Sequence, residues 1–143
     1  MSYLEDLTPA SGYFTPDAYK HAAALLVEPK SHNPAAPPGP QQTGTRPITV
    51  ADVTVFNTME DVQAGTPSSV ILGTQITSKF LALDTAPLVD RGRATVTTLL
   101  KESLQNGKTG WKWRKVDPAV TQLVAAYIEK RDAAVADTSL DSI

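Results

Sequence analysis

Asn106-Gly107-Lys108-Thr109-Gly110-Trp111-Lys112-Trp113-Arg114-Lys115-Val116 is the stretch from which the fold is read. Asn-Gly is the strongest short hairpin signal, since both residues tolerate the positive φ of a type I′ turn. Upstream, Ala94-Thr95-Val96-Thr97-Thr98-Leu99-Leu100-Lys101 is rich in β-branched residues, and downstream both tryptophans of the chain alternate with bases. Side chains alternate along a strand, so Trp111 and Trp113 share one face while Lys112 and Arg114 share the other. Rings beside cations suit a single-stranded nucleic acid, whose bases stack while its phosphates meet charge. Two tryptophans on one strand face suit a core as well, with the opposite charges facing water. On a strand with two faces, one of these sets turns inward.

The preceding chain supplies more strands. Residues 1–18, with Pro9, Gly12 and Pro16, read as an irregular lead-in with one short helical turn. Within Tyr19 to Glu28 the run Ala22 to Val27 reads as a strand ended by Pro29. Residues 30–47 hold five of the eleven prolines and read as a long loop, because proline removes ladder donors and restricts its neighbours. Ile48 to Phe56 has strand composition, Asn57 to Pro67 reads as a turn, and Ser69 to Thr77 as another strand. Gly73 inside that strand marks a bulge or sharp bend. Residues 78–93 fit a strand extension or a helical turn, interrupted by Pro87. Asp117-Pro118 then opens a helix over 117–131, an N-cap followed by proline at the first helical position. Val120, Leu123, Val124, Tyr127 and Ile128 give that helix one apolar stripe. Residues 132–143 read as a short acidic flexible tail. The expectation is a mainly β protein, a five-stranded antiparallel barrel of the oligonucleotide-binding (OB) kind spanning 19–131 with a C-terminal α-helix.

Composition narrows the function. With 143 residues and 41% apolar content, the chain has material for one domain with a real core. It lacks cysteine, which excludes disulfides, thiolate nucleophiles and cysteine-zinc sites. No apolar run is long enough to span a bilayer, and the acidic start Met1-Ser2-Tyr3-Leu4-Glu5-Asp6 has no secretory pattern, so a cytoplasmic location is expected. The net charge of −2 conceals an asymmetry. Residues 79–116 hold eight Lys/Arg against three acids, whereas 1–29 hold one against four and 117–143 two against five. Local patches rather than totals steer a polyanion.

Catalytic patterns are weak. His21 and His32 stand eleven positions apart, so a metal pair is not expected, and Asp84 and Asp90 read as solvated loop charges. Gly107-Lys108-Thr109 resembles the end of a phosphate-binding loop, but Glu102 stands where its first glycine belongs. No enzyme, cofactor or metal site is expected. The candidate nucleic-acid-binding residues are Lys79, Phe80, Arg91, Arg93, Lys108, Trp111, Lys112, Trp113, Arg114 and Lys115. Each exposed ring would contribute about 1–3 kcal/mol per stacked base.

The order Leu25-Leu26-Val27-Glu28-Pro29-Lys30-Ser31, a loop, Ala51-Asp52-Val53-Thr54-Val55-Phe56, then Asn106 to Trp113 before an Asp-Pro helix resembles small single-stranded DNA-binding proteins of actinobacterial phages. The resemblance covers residues 10–131. It implies an OB barrel without cofactor, sequence-independent protection of single-stranded DNA in replication or recombination, and a homo-oligomer. It also implies an acidic tail that recruits replication or recombination proteins, although the tail here has only Asp137 and Asp141. The alternative expectation is a structural or assembly protein of a phage virion, a head or tail component, which a β-rich body with a proline-rich arm also fits.

Overall fold

Ala24-Leu25-Leu26-Val27 opens the first strand, β1 (Ala24–Ala36), and all four side chains are buried. Neighbouring strand residues point to opposite faces, so a wholly buried run requires cover on both sides of the sheet. The computed structural model describes residues 13–36, 46–103, 107 and 109–141, with the backbone alone for 36 and 135–141. Four further strands follow: β2 (Arg46–Phe56), β3 (Ser69–Ile76), β4 (Thr95–Ser103) and β5 (Thr109–Lys115). All pair antiparallel in one sheet ordered β3-β2-β1-β4-β5, which places β1 at its centre. Three helices complete the fold: α1 (Met59–Ala64), α2 (Lys79–Arg91) and α3 (Pro118–Asp141).

One face of the sheet contributes Leu25, Val27, Val53, Val55, Ile76 and Leu99 to a core closed by Leu81 and Ala82 of α2. The other contributes Ala24, Leu26 and Phe56, covered by Val62 of α1 and by Val120 and Val124 of α3. All five residues of the expected apolar stripe of α3 pack here, and Tyr127 meets Phe56 edge-on at 5.4 Å. Asp117 Oδ1 accepts from the Ala119 N–H at 3.2 Å, the expected helix cap. Farther along α3, Arg131 grips Glu28 of β1 through two parallel bonds of 2.8 and 3.1 Å. Those bonds raise the affinity of the guanidinium for its proton, outweighing the opposing effect of partial burial.

Several sequence expectations need correction. Proline does not end the first strand at Glu28, nor does a loop begin at Lys30. β1 runs through Pro29 and Pro34, because its register with β2 breaks between Pro29 and Ser31 and again between Asn33 and Ala36. At such irregularities the missing N–H removes no ladder bond. Residues 37–45, the rest of the expected loop, lie outside the described residues, as do 1–12 of the lead-in. The expected helical turn is a 3-10 turn at Pro16–Tyr19, so the strand starts at Ala24 rather than Tyr19. Within 57–67, Met59–Ala64 is helical because the Thr58 side chain accepts from the Asp61 N–H at 3.1 Å. The ambiguous 78–93 stretch forms α2, with Pro87 on an exposed position. The C-terminal helix continues past Arg131 to Asp141, through Ala133 and Ala134, good helix formers with no glycine or proline to stop them.

Gly73 does mark a bulge. It adopts φ +64°, and the β2–β3 register shifts between Ala51 and Val53, opposite this position. Asp52 Oδ1 accepts the Gly73 N–H at 2.9 Å, and Lys30 pairs with the same carboxylate at 3.2 Å.

The sheet is open: no ladder joins β3 to β5 among the described residues. Phe14 bridges them instead. Its N–H donates to the Gln75 carbonyl of β3 at 2.8 Å, and its ring lies 6.2 Å from that of Trp113 in β5. Tyr19 stacks on the same ring at 5.4 Å, and Phe14 is buried. Phe14→Ala is therefore expected to reduce unfolding free energy by about 3–5 kcal/mol, read by urea denaturation. A loss well under that range would show that the ring does not hold the seam.

Candidate nucleic-acid interface

The β4–β5 hairpin is formed as the sequence indicated, with Gly107 at φ +80°. Its register differs from that of a two-residue Asn106-Gly107 turn, which would set Leu104 opposite Thr109. Among the described residues the ladder runs to the pair Ser103 and Thr109, one residue out of step, and Asn106 of the expected turn lies outside them. A one-residue slip moves a strand's side chains to the opposite face, so the difference matters. It sets Leu99 opposite Trp113 inside the core and Lys101 opposite Trp111, while Leu100 stays outside.

Both tryptophans face the core, half-buried, so the core reading of the alternation holds. Trp113 donates its Nε1–H to the Leu81 carbonyl of α2 at 3.0 Å. Trp111 carries the Lys101 ammonium over its ring at 5.5 Å. The sequence reading left Lys101 out of the candidate set. Only the ladder register would have placed it beside Trp111.

The remaining candidates divide into separate groups. Lys112 lies 3.5 Å from Glu102 and 5.6 Å from the centre of the half-buried Phe80 ring. Lys79, at the start of α2, is exposed beside Phe80. Arg91 ends α2, about 18 Å from Lys79 at 1.5 Å of rise per residue, and Arg93 follows in the link to β4; both are exposed. Arg114 and Lys115 close β5 and are exposed, with no side-chain ion pair among the described residues. Lys108 lies outside the described residues. The structure thus joins Phe80 with Lys112 and Trp111 with Lys101, but does not bring all ten candidates to one spot.

Between α2 and the β4–β5 ladder lies a cleft of about 250 Å³, with Asp84 and Leu88 on one wall and Thr97, Trp113 and Lys115 on the other. Beneath α2, the Thr85 and Thr49 hydroxyls bond to each other at 2.9 Å, and His32 Nδ1 meets Thr49 at 2.7 Å. Thr49 and Thr85 also reach the Ala82 carbonyl, so this buried polar set is satisfied within the fold. On the opposite face, a wider groove of about 640 Å³ runs between α3 and β4, lined mainly by apolar residues such as Leu26, Val96 and Ile128. Among the described residues, no group of three or more metal-ligating side chains occurs, and no helix is long and apolar enough to cross a membrane.

No protein-family model, curated protein or solved structure matches the chain. The functional reading accordingly rests on the geometry above.

Trp113→Phe keeps an aromatic ring but loses the indole N–H bond to α2. A loss of about 1–3 kcal/mol in stability is expected from the missing bond and the smaller ring. Urea denaturation followed by circular dichroism checks it, and unchanged stability would place the indole outside the structural core.

Proposed function

We propose that the chain binds single-stranded DNA without catalysis and largely without regard to sequence, protecting it during replication or recombination. The observation that carries this reading is the strand order. Joining β3 to β5 would close β3-β2-β1-β4-β5 into a five-stranded ring, and Phe14 already spans that seam. A partly open five-stranded barrel is the OB architecture, which takes oligonucleotides on the face of its strands 2–3 and on the β1–β2 and β4–β5 connections. Here the strands flanking the β4–β5 connection bear Lys101, Lys112, Arg114 and Lys115, and the end of α2 and its link to β4 add Arg91 and Arg93. Affinity would come mainly from counterion release at these cations, since the tryptophans serve the core first.

Virion assembly is the second reading, and β3 favours it. This edge strand, Ser69-Val70-Ile71-Leu72-Gly73-Thr74-Gln75-Ile76, has no charge, and Val70 and Leu72 are 51% and 71% exposed. An uncharged edge is a template for another strand, in an assembly or in a homo-oligomer.

Fluorescence anisotropy of a labelled single strand, with duplex as control, tests the leading reading. Binding should favour the single strand and weaken steeply as salt rises. Removing two phosphate contacts with Arg114→Ala and Lys115→Ala should make the log–log salt slope shallower by about 1.4. Absence of binding at low salt would reject the DNA reading in favour of assembly.

A further inference from the structure

We propose that the cleft between α2 and the β4–β5 ladder is a subsite for one cytosine base. In it Asp84 accepts the exocyclic amine and Lys115 meets the adjoining phosphate. The inference rests on the single-stranded DNA reading and adds a modest base preference to it.

Size is the first argument. A cleft of about 250 Å³ has room for roughly eight waters at their liquid volume. That matches the non-hydrogen atoms of a single pyrimidine base and is far too little for a base pair.

The second argument is the inventory of donors. Trp113 has its Nε1–H on the Leu81 carbonyl, which also fixes the orientation of the indole wall. The Thr97 hydroxyl donates to the Arg114 carbonyl at 2.9 Å, and the Thr85 hydroxyl has its partners among the Leu81 and Ala82 carbonyls of its own helix and the Thr49 hydroxyl. These donors are therefore engaged. What the polar lining still offers is the Asp84 carboxylate as acceptor, the single cation of Lys115 and the Thr95 hydroxyl. Asp84 and Lys115 are both exposed and form no ion pair among the described residues, so each is available to a ligand. With the 4-position of a pyrimidine aimed at Asp84, cytosine offers its N4–H2 donor where thymine offers the O4 acceptor. Beyond the cleft, Arg91 falls on the same helical stripe as Asp84 and Leu88, at i, i+4 and i+7. Arg93 lies just before β4, whose Thr97 pairs with Lys115 of β5, so a phosphate backbone leaving the cleft at that end of the ladder would meet these cations.

The test compares labelled oligo-dC and oligo-dT of equal length in anisotropy titrations of the full chain at one salt concentration. The wild type should bind oligo-dC about threefold to tenfold more tightly than oligo-dT, less than a good bidentate base contact gives because Asp84 is exposed. Asp84→Ala should abolish that ratio through weaker binding of oligo-dC. Its fold should survive, because the position is exposed and alanine favours helix. Lys115→Ala should weaken both oligonucleotides alike. Equal binding by the wild type, or a cytosine preference that survives Asp84→Ala, would overturn the subsite and leave the single-stranded DNA reading standing. No binding of either oligonucleotide would overturn both.

Discussion

The architecture depends on β1 being buried on both faces. Leu25 and Val27 point to one side, Ala24 and Leu26 to the other, and none of the four meets water. A strand in that position cannot be stable as part of a two-layer structure with one solvated face. It requires α2 on one side and the α1–α3 pair on the other. Each cover is then held by a polar tie as well as by apolar contact. Trp113 bonds to α2 through Leu81, and Arg131 of α3 bonds to Glu28 of β1.

The tryptophans serve packing first. Their rings line the core, and the hydrogen bond from Trp113 removes its freedom to rotate toward a ligand. The edges left uncovered border the cleft and Lys101, where charge is concentrated. Under the proposed function, recognition would depend on cations arranged around a rigid aromatic wall, instead of on flexible rings that reorganise on binding. A preorganised wall costs less ordering entropy when a ligand arrives.

Local patterns in the sequence were enough to locate the hairpin, the apolar stripe of α3, its Asp117 cap and the Gly73 bulge. Each rests on residues within a few positions of one another. What escaped depended on distant partners. Pro29 and Pro34 look like strand breakers until the register with β2 shows that the ladder is already interrupted there. Lys79 to Leu83 has no decisive period, and α2 is helical because Leu81, Ala82 and Thr85 fit beneath the sheet. For the site, the sequence supplied the residue types and the sign of the charge. It could not supply the one-residue slip that brings Lys101 to Trp111, nor the docking of α2 that sets Asp84 across from Lys115. The role of Phe14 was equally hidden, since an aromatic in an irregular lead-in has no periodicity to show which way it faces.

The grip of Arg131 on Glu28 joins positions 103 residues apart in sequence. The cover that α3 gives the outer face of β1 is therefore non-local, and the entropy of closing a long loop is lost before Leu26 and Val124 can meet. The β4–β5 hairpin closes over a few residues and needs no such loss. Contacts of that reach are the kind that slow folding.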